Sequence, residues 1–129
     1  MKIYRCNTCG NIMIVLKDAG VNPVCCGSDM ELLVPRMEND LIEKHIPIVK
    51  VHKCKINIEV PHVMEEKHYI ETIILETNKG YYLRNLRPSE KPIVEFEIGK
   101  EESLVAAYEY CNIHGLFKKD LDNEEIKDC

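Results

Sequence analysis

No apolar run in this sequence approaches the roughly 20 residues that a bilayer-spanning helix needs, so a helical membrane span is excluded. The opening Met1-Lys2-Ile3-Tyr4-Arg5-Cys6 has neither an apolar h-region nor a small-residue cleavage site. No secretory signal is therefore expected, and the expected compartment is the cytoplasm. Basic residues are not in excess: 17 Lys and Arg against 22 Asp and Glu leave a net charge of −5. A broad nucleic-acid footprint is missing, and an anionic substrate would need local positive charge near its site. Internal repeats, low-complexity segments and amphipathic helices are absent as well.

What remains is a globular composition with an unusual share of cysteine. The chain has 129 residues, 45% apolar and 30% charged, room for one small and one medium domain. Its seven cysteines are an odd number without a secretion signal, which favours metal or redox chemistry over disulfides. Four of them precede residue 27. Val34-Pro35-Arg36-Met37-Glu38-Asn39 reads as a short linker, so the chain divides into residues 1–36 and 37–129.

The first segment is too short to bury much apolar surface and needs a metal staple. Ile12 to Leu16 is a brief strand, and Asp18 to Pro23 is turn chemistry. Cys6-Asn7-Thr8-Cys9-Gly10 is a knuckle in which two thiolates can share one ion, with Gly10 giving the backbone room to turn. Cys25-Cys26-Gly27 supplies a second pair. Side chains of adjacent residues point to opposite sides of an extended chain, so both can reach one ion only through a local bend. Thiolates suit zinc and iron alike, and spacing alone does not choose between them.

The second segment reads as β throughout. From His52 to Val60 the even positions are mostly apolar and the odd ones polar, a half-buried strand with His52 and Cys54 on its apolar face. His68 to Thr77 and Tyr81 to Arg87 flank Asn78-Lys79-Gly80, a hairpin signal with Gly80 at the expected positive φ. Ile93 to Ile98 alternates cleanly, Leu104 to Cys111 is a further strand, and the acidic stretch from Asp120 to Cys129 reads as a loose tail. Many short strands with frequent turns suggest a sandwich, and the fold class expected is all-β.

Four of the five histidines fall where loops are expected. His45 lies in Glu43-Lys44-His45-Ile46-Pro47, His62 follows Pro61, His68 opens a strand, and Cys111-Asn112-Ile113-His114-Gly115 ends one. Four imidazoles and a thiolate make five ligands, one more than structural zinc takes. Such a set suits iron with an open sixth position. A thiolate opposite that position would push electron density onto an oxygen species there, as in thiolate-ligated haem. Cys54 is read as a core-edge residue and Cys129 as an incidental thiol.

Cys-Asn-Thr-Cys-Gly-Asn with Cys-Cys-Gly resembles desulforedoxin. Glu-Lys-His-Ile-Pro, His-Val-Met-Glu-Glu-Lys-His-Tyr-Ile-Glu and Cys-Asn-Ile-His-Gly-Leu resemble the iron-site motifs of superoxide reductases. Together, in this order, they resemble the desulfoferrodoxin family over essentially the whole chain. The resemblance implies a desulforedoxin-like domain, an immunoglobulin-like sandwich and two iron ions. Cys6, Cys9, Cys25 and Cys26 would hold the first; His45, His62, His68 and His114 would form the nitrogen plane of the second, with Cys111 axial. Glu43 would fill the sixth position in the ferric resting state. Lys44 would draw superoxide in and assist protonation towards peroxide. A rubredoxin-like electron donor and a homodimer are also implied. The chain departs from the family in having Thr72 and Phe117 at positions often held by Trp, of which it has none. Two other readings stay open: an iron electron carrier or redox sensor without catalysis, and a zinc-stapled interaction module.

Overall fold

The computed structural model describes residues 1–38 and 44–126. Every regular element among them is a strand. The chain folds as two compact units, Met1–Val34 and Pro35–Cys129.

In the first unit, β1 (Ile3–Arg5) lies between β2 (Ile12–Ile14) and β5 (Glu31–Leu32), while β3 (Val24–Cys25) and β4 (Ser28–Asp29) form a separate hairpin. The core is small: Tyr4, Cys6 and Met30, with Val15 and Cys25 packed against them. Val21, Leu16 and Val34 are largely exposed. So little buried apolar surface cannot offset the chain entropy of ordering the unit, which leaves the cysteines as its cross-link.

The second unit is a sandwich of two antiparallel sheets. One has the order β10 (Ile93–Glu97), β7 (Lys55–Glu59), β6 (Ile48–His52). The other has the order β12 (Gly115–Glu125), β11 (Ser103–Cys111), β8 (Ile70–Thr77), β9 (Gly80–Asn85). Three and four strands are the count of an immunoglobulin-like constant domain. Ile56, Ile58, Val60, Ile70, Ile73, Leu75, Val94, Phe96, Leu104 and Cys111 form the core. The alternation in β7 and β10 is met: Val94, Phe96 and Ile98 are buried, and Glu95 and Glu97 are exposed. The hairpin at Asn78-Lys79 pairs Thr77 with Gly80, whose φ is +155°.

Two expectations are corrected. The single strand from His52 to Val60 is broken by a tight turn: His52 pairs with Lys55, and Lys53 takes φ +55°. The parity of Ile56, Ile58 and Val60 survives, but His52 falls on the exposed side of the turn, while Cys54 is half-buried against the core. The acidic stretch from Asp120 is not a loose tail as far as Glu125. It continues β12, with Glu124 opposite Leu104 and Glu125 opposite Ser103. β12 is an edge strand, where charged side chains face solvent without cost and discourage further pairing. Lys127 to Cys129 lie outside the described residues.

Candidate metal centres

The four cysteines of the first unit come together. Cys9 Sγ lies 3.7 Å from Cys25 Sγ, and Cys25 Sγ lies 4.0 Å from Cys26 Sγ. A tetrahedral ion with metal–sulfur bonds of about 2.3 Å spaces its sulfurs about 3.8 Å apart, so these thiols fit one ion. The knuckle closes as its sequence requires. Gly10 N–H donates to Cys6 O at 2.9 Å, Gly10 takes φ +82°, and Cys9 N–H points to Cys6 Sγ at 3.4 Å. The amides of Cys9 and Thr8 lower the Cys6 thiol to about 6, favouring the thiolate that a metal needs. The bend expected at Cys25-Cys26 is a two-residue hairpin: Cys25 pairs with Ser28, and Cys26 and Gly27 take φ +52° and +75°. Positive φ at both central positions matches a type I′ turn, in which a cysteine stands where Asn is preferred.

In the sandwich, the loops at one end gather four imidazoles. Ring centroids run in a closed circuit: His45 to His62 at 4.6 Å, His62 to His68 at 4.6 Å, His68 to His114 at 5.0 Å, and His114 back to His45 at 5.0 Å. His45 and His68 are thus opposite corners, as are His62 and His114. Cys111 Sγ is 3.8 Å from His62 Nε2 and 3.9 Å from His114 Nδ1. Near-equal distances to opposite corners suit a sulfur on the axis of the square. His45 Nε2 and His114 Nδ1 are 3.1 Å apart. Two nitrogens bound side by side at about 2.1 Å from one ion would be about 3 Å apart, so this pair fits. The donor atoms of His45, His62, Cys111 and His114 all lie within 4.8 Å of one another. His68 stands outside that tight set and joins through its ring contacts.

Neighbouring groups aim these ligands. The turn at Cys111 repeats the first knuckle: His114 N–H points to Cys111 Sγ at 3.4 Å, and Gly115 takes φ +86°. His62 Nδ1 lies 2.6 Å from Val63 O, which leaves Nε2 for a metal. Asn112 fastens the two ligand-bearing loops together. Its Nδ2 donates to Lys67 O at 2.9 Å, and its Oδ1 accepts from Tyr69 N–H at 3.0 Å, so its amide grips the backbone on both sides of His68. His45 is fully buried, and burial, then the surrounding histidines, lowers its pKa to about 4, which keeps it neutral and able to ligate. Its ring stacks on Phe117 at 4.1 Å and 6°, and Arg36 lies over the same Phe ring at 4.9 Å. Phe117 is thus the buried platform of His45.

These two donor sets coincide with two family profiles. Residues 1–33 match the desulfoferrodoxin N-terminal domain, and residues 37–120 match desulfoferrodoxin itself. The chain belongs to the desulfoferrodoxin family. A desulfoferrodoxin homolog of Methanothermobacter thermautotrophicus is 40% identical over 90% of this chain and 95% of its own. The desulfoferrodoxin of Nitratidesulfovibrio vulgaris is 40% identical over 91% of this chain and 94% of its own. Among solved structures, the superoxide reductase of Treponema pallidum superposes with a TM-score of 0.78 at 26% identity, covering 92% of this chain and 97% of that one. The two donor sets match the two iron centres of a desulfoferrodoxin, four cysteines in one and His45, His62, His114 and Cys111 in the other.

Of the other residues expected at the sites, Lys44 is exposed beside His45. It lines a groove of about 410 Å³ with Ile46, Pro47, Ile48, Val49, Pro61 and Lys119. Glu43 lies outside the described residues. His52 takes no part in either centre. Three contributors were not anticipated as such: Asn112, Arg36 and Glu109. Glu109 is a fully buried carboxyl group with Oε1 3.4 Å from His45 Nδ1, and burial pushes its pKa up to about 9. Parity from Ala107 and Cys111, both in the core, was the signal that could have placed Glu109 inside.

Proposed function

We propose that this protein is a superoxide reductase, taking superoxide, one electron and two protons to hydrogen peroxide. The observation that carries this reading is the square of four imidazoles with a thiolate near its axis. A ferrous ion held there would supply the electron and an open position for the anion. His45, His62, His68, His114 and Cys111 would hold it. Cys6, Cys9, Cys25 and Cys26 would hold the first iron, in a domain taken as residues 1–36. The second domain would run from 37 to 129. That first ion either relays electrons or only staples its small domain.

The remaining roles belong to this chain's charges. Lys44 would attract superoxide against the net charge of −5 and supply positive charge where the product is protonated. Glu43 would cap the ferric resting state. The electron donor would be a rubredoxin-like carrier, the working state a homodimer, the compartment the cytoplasm, and the physiological role defence against oxidative stress. No helix among the described residues is long and apolar enough to cross a membrane.

The test is rapid mixing of the anaerobically reduced protein with superoxide, counting peroxide and dioxygen. Peroxide without matching dioxygen is the expected result. Equal amounts of both mean dismutation, and no reaction moves the assignment to an electron carrier or sensor. Lys44→Ala is expected to slow capture and flatten its ionic-strength dependence, whereas Glu43→Ala is expected to change the ferric spectrum with capture intact.

A further inference from the structure

The sandwich core contains one feature that packing does not explain. Glu109 is fully buried, and neither of its carboxyl oxygens has a hydrogen-bond partner among the described residues. On one side its cross-strand neighbour is Phe117 and on the other Ile73, both fully buried. A carboxyl group in such surroundings destabilises a fold unless something engages it. Among the described residues, Nδ1 of His45 lies 3.4 Å from its Oε1. His45 stacks on Phe117, so the Glu109–Phe117 pair forms a floor and a side wall for this imidazole.

The opposite ring nitrogen decides what the contact can do. His45 Nε2 faces the centre, 3.1 Å from His114 Nδ1. A neutral imidazole that gives Nε2 to a metal must carry its proton on Nδ1, the ring atom that lies 3.4 Å from Glu109 Oε1. We propose that Glu109 is a positioning residue for the second iron centre: it accepts the Nδ1–H of His45, fixes the tautomer that presents Nε2, and holds the ring in the ligand plane. A carboxyl oxygen accepts this proton whether or not the acid is ionised. The proposal rests on the reading of His45 as an iron ligand.

The experiment compares Glu109→Leu and Glu109→Gln in the full chain. Each is loaded with ferrous iron, then challenged with a chelator while the spectra of both centres are followed. Glu109→Leu fills the site with apolar atoms and removes the acceptor; Glu109→Gln keeps an acceptor oxygen in nearly the same place. The Leu variant is expected to lose iron from the histidine centre with an affinity lowered about 10- to 100-fold. Its four-cysteine centre should be unchanged, and its metal-free form at least as thermostable as wild type, because a buried carboxyl group has gone. The Gln variant is expected to hold iron close to wild type. Opposite signs for metal-free stability and iron affinity are not what a purely structural residue would produce.

The proposal is overturned if Glu109→Leu holds iron as tightly as wild type, if its metal-free form is destabilised in step with the iron loss, or if Glu109→Gln fails as badly as the Leu variant. Wild-type protein that takes no iron at the histidine centre would instead overturn the underlying assignment of His45.

Discussion

Phe117 offers a direct measure of how the second centre is built. The ring is fully buried, lies parallel to His45 at 4.1 Å, and carries the Arg36 guanidinium at 4.9 Å. Phe117→Ala would remove the ring and leave a cavity, at a cost of about 3–5 kcal/mol. With about 4–8 °C of midpoint shift per kcal/mol for a domain of this size, that lowers the sandwich transition by about 12–40 °C. Phe117→Leu is the sharper variant, because it keeps most of the apolar volume and deletes only what a ring can do. An apolar swap of similar volume costs up to about 1.5 kcal/mol. Losing ring stacking adds about 0.5–1.5 kcal/mol, and losing the cation over the ring adds about 0.5–1 kcal/mol. The expected total is about 1–4 kcal/mol. Differential scanning calorimetry of the iron-loaded protein, following the sandwich transition separately from the small unit, measures both variants. A Phe117→Leu protein with an unshifted sandwich transition and an unshifted iron spectrum would refute the idea that His45 is supported by a stacked ring.

Two further outcomes follow from other parts of the molecule. Glu102 is buried and accepts hydrogen bonds from Thr77 at 2.6 Å, Tyr82 at 2.6 Å and Gly99 N–H at 2.8 Å. Burial raises its pKa, but these bonds and Lys79 outweigh it and the net shift is downward. A carboxyl whose folded pKa is depressed contributes stability above its unfolded pKa and loses it as pH falls through the folded one. Thermal stability of wild type should therefore fall on acidification through and below the ordinary carboxylate range. Glu102→Gln should start lower at neutral pH, by about 1–3 kcal/mol, and show a flatter acid limb. Stripping metal from the four cysteines should unfold Met1–Val34, whose core cluster is as small as Tyr4, Cys6 and Met30, while the sandwich keeps its own transition. Hydrogen exchange resolves the two units; protection persisting in β1 after metal removal would contradict it.

How much of this was legible depended on whether a signal was local. The glycine-terminated cysteine pairs were, because the turn and its donors lie within five residues. The strands β7 and β10 were, because alternation reports burial directly; β11 was read as a strand without alternation, and it is buried continuously from Ala106 to Cys111. The turn after His52 was hidden, since Lys53 adopts positive φ without the Gly or Asn that usually marks it. β12 was hidden because an edge strand tolerates the acidic composition that reads as a tail. At the histidine centre the donors could be named one by one, yet the circuit they form is a tertiary fact. So are Asn112, which joins two loops, and Glu109, whose charge argued for a surface position while its parity argued for the core. The ligand set came through resemblance as much as through spacing, which says nothing about distance across the fold.

The Cys6–Gly10 and Cys111–Gly115 turns share one backbone: an amide three residues on aimed at sulfur at 3.4 Å, then a glycine at φ +82° or +86°. They differ in the side chain at the fourth position, thiol in one and imidazole in the other. That backbone is indifferent to which donor it carries. The softness of each centre, and with it the choice between a closed sulfur cage and a mixed shell with room for a substrate, is thus open to change by single substitutions that leave the fold alone.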